Sequence, residues 1–366
     1  MEKSVDQSTP PDVLINRNGA AATIVLNRAR ALNALTKAMR KTIADAIPGM
    51  ARDAGLYAVL IRSANPKAFC AGGDVRETIA LYRDDPARAY NALADEYRLN
   101  WTLECFSKPT VSLMDGIVMG SGVGITIYNT HRVAGANYKF AMPETAIGLF
   151  PDVGVVHPLA RLPDEVGTYL GLTGRTIKRA DAFALGLVTH CIDGEHFDTI
   201  EAALGDAQTV DPLLDNMHKD PGPGELEPHR ETISHCFSAD EVEEIISRLK
   251  NVAGSSRPFA EAVLEDLSKR SPTSLKITLR HLRRATDAGL DDVLTADQRI
   301  ACRCLAEHDF AEGVRAVLVD KDNLPVWQPA TLADVSEASV KAYFEPLPDG
   351  EDLKLPSRSE MQVMRI

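Results

Sequence analysis

Phe140-Ala-Met-Pro-Glu-Thr-Ala-Ile-Gly-Leu-Phe-Pro-Asp-Val-Gly154 is the stretch on which the reading of this sequence turns, because Glu144 and Asp152 are the only acids in an apolar run that continues to Val156. A carboxyl placed so is either an exposed turn residue or a buried acid. Pro143-Glu144 and Pro151-Asp152 would each suit a simple turn. If buried, the carboxyl ionises only at a cost, and its pKa climbs into the range useful for proton transfer. Local sequence leaves both readings open.

Two glycine-rich segments lie upstream: Ala68-Phe-Cys-Ala-Gly-Gly-Asp74 and Gly116-Ile-Val-Met-Gly-Ser-Gly-Val-Gly124. Taken singly, each reads most simply as a tight turn after a strand. Their chemical use would be to leave backbone N–H groups pointing into a cleft, where two can hold the oxygen of a thioester carbonyl as it turns negative. A phosphate loop fits less well, since Gly120-Ser-Gly-Val-Gly124 has neither the G-x-G-x-x-G spacing nor a following Gly-Lys-Ser/Thr. Ser121 is not at a nucleophile elbow either, because Met119 stands where G-x-S-x-G needs glycine.

Outward from these segments, Ala22–Asn27 and Leu56–Arg62 read as strands. Between them, Thr36 to Ala54 carries Met39, Ile43, Ile47 and Met50 at helical spacing. A long helix is predicted from Pro86 to Phe106, then a strand over Pro109–Leu113 and a short helix after Gly120. The apolar run Val111–Tyr128 is broken by Asp115 and four glycines, so it reads as strand, turn and buried helix rather than a membrane span. The chain divides into a flexible leader over 1–12, an α/β core over 13–192 and a mostly helical region over 193–366. Pro212, Pro221-Gly-Pro-Gly224 and Pro228 mark a connector or surface excursion. Ser271-Pro272 reads as an N-cap and first helical residue, with Leu275, Leu279 and Leu282 on one face and Gly289 as the stop.

With 366 residues, 45% hydrophobic and 25% charged, the chain is of ordinary globular composition. A net charge of -12 repels a phosphate backbone, so nucleic acid is not an expected partner, and an anionic ligand must be met by a local basic patch. Met1 to Asp12 is polar and has no apolar segment of the signal-peptide kind, so a cytoplasmic protein without membrane attachment is expected. Six dispersed cysteines read as free thiols. Cys302-x-Cys304 on a helix would face two ways, a poor metal clamp, and no metal is expected. His131, His157, His190 and His308 sit beside no nucleophile motif and read as structural or surface residues.

Together the three segments resemble the crotonase (enoyl-CoA hydratase/isomerase) superfamily, whose members bind acyl-CoA thioesters and stabilise their oxyanions with two backbone N–H groups. The likeness also covers Asn27-Arg28-x-x-Ala31-Leu-Asn-Ala-Leu35, a loop lying beside the nucleotide end of CoA in that family. It implies a spiral of strand, strand, helix turns with a helical C-terminal region, no cofactor beyond the CoA of the substrate, and either a homo-oligomer of the trimer type or a protomer capped by its own extended C-terminal region. It places the oxyanion donors at the N–H groups of Ala71 and Ser121, and substrate contacts at Arg28, Ala31, Ala68, Gly72, Gly73 and Asp74. Relatives usually carry glycine at Ser121, a departure that a purely backbone contact tolerates.

Hydratases of the superfamily carry a first glutamate four residues after Gly120, where this chain has Gly124, and a small residue where it has Asp152. Met142 to Gly154, Ser271-Pro-Thr-Ser-Leu-Lys-Ile-Thr-Leu279 and His308-Asp-Phe-x-Glu-Gly-Val-Arg-Ala-Val-Leu318 resemble the 3-hydroxyisobutyryl-CoA hydrolase branch. That branch implies Glu144 and Asp152 as catalytic acids, Glu96 at the hydroxyl end of the substrate, and a place in valine catabolism. On spacing alone Glu96 is a solvated helix residue. Val155-Val156 stand where relatives tend to have glycines. An enoyl-CoA hydratase or isomerase and a catalytically silent acyl-CoA binding protein are the alternatives on the same scaffold.

Overall fold

The computed structural model describes residues 10–366. Residues 1–9, most of the expected leader, lie outside the described residues; Asp12 pairs with Arg30 at 3.0 Å and with Arg28 at 3.7 Å.

β1 (Val13–Asn18) and β2 (Ala21–Leu26) form an antiparallel hairpin. The chain then winds as a spiral, through β3 (Ala58–Ser63) and β4 (Ala68–Cys70), β5 (Thr110–Met114) and β6 (Ile117–Met119), and β7 (His131–Ala134) and β8 (Lys139–Ala141). The first strand of each pair joins one sheet and the second joins the other. The result is a six-stranded sheet ordered β1-β2-β3-β5-β7-β10 and a four-stranded sheet ordered β4-β6-β8-β9, with β9 at Ile177–Lys178 and β10 at His190–Cys191. Within β3, Val59 and Ile61 face the main core while Ala58 and Leu60 face a second core under Phe197, Ile200 and Leu204. Burial on both faces explains why these strands read as continuous apolar runs rather than as alternation.

Helix α1 (Lys37–Arg52) starts where the Thr36 side chain accepts the Met39 N–H, and it buries Met39, Ile43, Ile47 and Met50. Helices α2 (Val75–Asp84) and α3 (Pro86–Glu104) are capped by Asp74 and Asp85. The four-residue α4 (Ser121–Gly124) follows Gly120. Every described strand falls between Val13 and Cys191, and the elements from Gly194 onward are helical. Pro212 lies inside the helix Val210–Met217 rather than in an irregular excursion, whereas Pro221–Gly224 has no regular structure.

Ser271 caps the helix Pro272–Ala285 by accepting the Ser274 N–H at 3.1 Å, and Leu275, Leu279 and Leu282 are buried. That helix ends before Gly289. The Thr286 hydroxyl bonds back to the Leu282 carbonyl at 3.4 Å, and Gly289, at φ −69 and ψ 159, is instead the N-cap of the helix Leu290–Ala306. These helices share one core with the strands, running from Val13 to Ile366. No helix among the described residues is long and apolar enough to cross a membrane.

Candidate active site

The two acids of the Phe140–Gly154 stretch face a single cavity of about 230 Å³. Its walls come from the loop Ala71–Gly73, from α2 and α3, from Met119–Ser121 and from Pro143–Asp152. Ala301, Leu305, Phe310, Val317 and Leu318 close it from the C-terminal side.

Glu144 opens a 3-10 turn over Glu144–Ile147 yet is 6% exposed, so it is a buried acid and not a surface turn residue. Its Oε2 is buried without a hydrogen-bond partner among the described residues. Burial, reinforced by the nearby Asp152, holds its carboxyl well above the ordinary carboxylate range. Asp152 is 8% exposed. Burial first, then the charges of Glu96 and Asp297, push it up likewise, while a hydrogen bond from the Tyr97 hydroxyl opposes this. The loop carrying Asp152 passes through Val153 at φ 54. It is pinned from behind: the Gly154 N–H donates to Asp297 Oδ2 at 2.7 Å, the Tyr128 hydroxyl donates to the Gly154 carbonyl at 2.7 Å, and Asp297 Oδ1 meets His281 Nε2 at 2.6 Å.

The backbone donors require one correction. The Ala71 N–H donates to the Leu32 carbonyl at 3.0 Å, which holds the Ala31–Leu35 loop in place and removes that N–H from the cavity's donors. The N–H groups of Gly73 and Ser121, by contrast, have no protein acceptor among the described residues. Ser121 begins α4, whose first N–H groups have no intrahelical partner. Gly120, which precedes it at φ 46 and ψ −123, holds a conformation closed to other residues, and a Cβ there would lie 3.0 Å from Glu144 Oε1 and 4.0 Å from the Gly73 nitrogen. Ser121 Oγ points toward Gly73, 2.9 Å from where its Cβ would be.

Glu96, on α3, is buried rather than solvated and forms an ion pair with Arg40 of α1 at 2.9 Å. Arg40 also lines the cavity. Gly72 and Gly73 line it as well, but Arg28, Ala31, Ala68 and Asp74 do not. Arg28 binds Asp74 at 2.8 Å and the Ala34 carbonyl at 2.9 Å, so its guanidinium fastens the loop to the start of α2. Ala68 is wholly buried in β4. His131 and His190 pair with Asp211 and Asp215, His308 with Asp309, and none of these, nor His157, lines the cavity. All six cysteines are free. Among the described residues no group of three or more His, Cys, Asp or Glu could hold a metal ion.

Comparison with known proteins places this geometry. The sequence profile of the enoyl-CoA hydratase/isomerase family matches residues 21–344. The chain belongs to the enoyl-CoA hydratase/isomerase family. Curated relatives include the mitochondrial 3-hydroxyisobutyryl-CoA hydrolase of Rattus norvegicus, 40% identical over 94% of this chain and 91% of that protein. The Homo sapiens protein of the same name is 40% identical over 97% and 93%. Among solved structures, a carnitinyl-CoA dehydratase from Mycobacterium thermoresistibile superposes with a TM-score of 0.88 at 38% identity, covering 94% of this chain and 98% of that one. An enoyl-CoA hydratase from Rhodobacter sphaeroides 2.4.1 does so with a TM-score of 0.88 at 36% identity, covering 94% and 100%.

Within this family fold, Gly124 is closed as well as empty. A Cβ there would stand 2.7 Å from Val153 Cβ and 2.9 Å from Asn100 Nδ2, so an acidic side chain has no room. Sequence reading missed Arg40, Tyr97, Asp297 and His281. Only Arg40 left a trace, three residues before Ile43 on the apolar face of α1.

Proposed function

We propose that this member of the enoyl-CoA hydratase/isomerase family hydrolyses a short 3-hydroxyacyl-CoA thioester, foremost 3-hydroxyisobutyryl-CoA, to the free acid and CoA. The observation that carries this reading is the unpartnered, buried Glu144 carboxyl facing the same cavity as Asp152 and two uncommitted backbone N–H groups. The name shared by relatives about 40% identical over nearly the whole chain supports the acyl group.

In this reading the thioester oxygen sits between the N–H groups of Gly73 and Ser121, which gain strength as the oxygen turns negative. Each such donor contributes about 3 kcal/mol to lowering the barrier. Glu144 either takes a proton from water as it adds to the carbonyl carbon, or itself attacks that carbon to give an anhydride that water then opens. Both routes break the C–S bond, and Asp152 delivers the proton that the leaving thiolate takes up. Glu96 accepts the hydroxyl of the acyl chain.

The likeness to solved dehydratase and hydratase structures favours water addition to a double bond as a second reading. Its two-carboxylate form needs an acid at position 124, which the packing of Val153 and Asn100 excludes. Thiol release from 3-hydroxyisobutyryl-CoA, measured beside crotonyl-CoA hydration, tests the choice. Rapid thiol release is expected from the native protein, with a loss of about 100-fold or more in Glu144→Gln. Full thiol release by that variant, or robust hydration by the native protein, would sink the reading.

A further inference from the structure

We infer that Arg40 determines the preference for acyl groups bearing a 3-hydroxyl, by holding Glu96 as an oriented acceptor. This rests on the reading of the cavity as an acyl-CoA site. Arg40 is the one basic residue lining the cavity among the described residues, against three acids, Glu96, Glu144 and Asp152. Its Nη1 meets Glu96 Oε2 at 2.9 Å, with side-chain exposures of 7% and 6%, and lies 3.4 Å from the Leu35 carbonyl. The head group is thus fixed between the loop before α1 and the middle of α3.

A guanidinium offers only donors and carries a fixed charge, so at this distance it holds the Glu96 carboxyl in one orientation. Among the described residues Glu144 and Asp152 have no such cation: Glu144 Oε2 has no partner, and the Asp152 carboxyl meets the Tyr97 hydroxyl. The cavity therefore sorts its acids into one paired with a guanidinium and two whose ionisation is opposed by burial. Arg40 engages Oε2 of Glu96, and Oε1 has no protein partner among the described residues. A carboxylate oxygen only accepts, so the ligand group it recognises must donate, as a hydroxyl does. An acyl chain lacking that donor leaves a buried acceptor unmet, the situation that gives polar sites their strongest discrimination. Without Arg40 the Glu96 side chain loses both its charge partner and the contact that aims it.

The test separates recognition from turnover by measuring binding in the Glu144→Gln background. Calorimetry gives Kd for 3-hydroxyisobutyryl-CoA, isobutyryl-CoA and free CoA, with and without Arg40→Met. The expected result is a preference for the hydroxylated ligand that drops about tenfold in Arg40→Met, while free CoA affinity is unchanged and Arg40→Lys keeps most of the preference. Should Arg40→Met not fold, Arg40→Gln removes the charge while keeping a polar side chain, and the same fall in preference is expected. An unchanged preference, or a fall in both thioesters and free CoA together, overturns the inference. The binding readout stands even if the native protein releases no thiol, so failure of the hydrolase reading would be seen separately.

Discussion

The Tyr97 hydroxyl donates a 2.8 Å hydrogen bond to Asp152 Oδ2 with both groups buried, and Tyr97 is the neighbour of Glu96 on the same helix. One turn of α3 thus presents one acid of the cavity and orients another. With Oδ2 occupied as an acceptor, a proton on Asp152 sits on Oδ1.

Replacing Tyr97 with Phe deletes that donor and little volume. A hydrogen bond to a charged group contributes about 1.5–3 kcal/mol, so kcat should fall roughly 10- to 100-fold with KM nearly unchanged. The bond lowers the Asp152 pKa, so its loss should move the Asp152-dependent limb of the pH–rate profile to higher pH. Steady-state kinetics across pH check both; a native profile in Tyr97→Phe would contradict the orienting role.

Glu144 gives a stability prediction whose sign follows from linkage. Its folded pKa is raised by burial, so the folded chain holds a proton that the unfolded chain has already released above about pH 4. Stability therefore declines as pH rises from there to the folded pKa, and levels off beyond it. Glu144→Gln removes the decline, about 1.4 kcal/mol for each pKa unit of elevation. Thermal unfolding should show the variant more stable than the native protein at pH 7 to 8, with the difference vanishing near pH 4.

Gly124→Ala should destabilise the fold by about 1–3 kcal/mol, since its Cβ meets Val153 Cβ and the Asn100 amide at well under contact distance. The strain falls on the loop bearing Asp152, so activity should drop with stability. Val153→Gly in the same chain removes that Cβ at a position with φ 54 and should recover part of both, which a comparison of Tm and kcat for the single and double variants measures.

Asp297→Asn weakens the link between His281 and the Gly154 N–H. Leaving a buried hydrogen-bonding group unpaired costs about 1–3 kcal/mol, so a clear fall in Tm is expected. If the network serves the Asp152 loop, kcat falls too while free CoA affinity holds; calorimetry with free CoA distinguishes this from general collapse.

Much of the fold was readable because local chemistry agrees with it. Thr36 before an apolar stripe, Ser271-Pro272 before a leucine face, and glycines after short apolar strands each act within a few residues, and each appears where the sequence places it. Gly289 misled because glycine serves both helix ends: the first helix stops at Ala285, and Gly289, with extended backbone, caps the start of the next. Ala71 misled because position along a motif does not show which way an N–H points. Only the approach of Leu32, 39 positions earlier, engages it and passes the donor role to Gly73.

By itself, then, the sequence determined the strands and helices of the α/β core, the glycine loops and the two acids of Phe140–Gly154, since these rest on backbone preferences and on apolar runs that must be buried, while the spiral winding was implied by family resemblance. Tertiary structure alone decided the electrostatics of the cavity. Arg40 and Glu96 are 56 positions apart, Tyr97 and Asp152 are 55, and Asp297 reaches Gly154 from the C-terminal helices. Charge interactions depend on distance and on exclusion of water, and neither is a property of neighbouring residues in a chain.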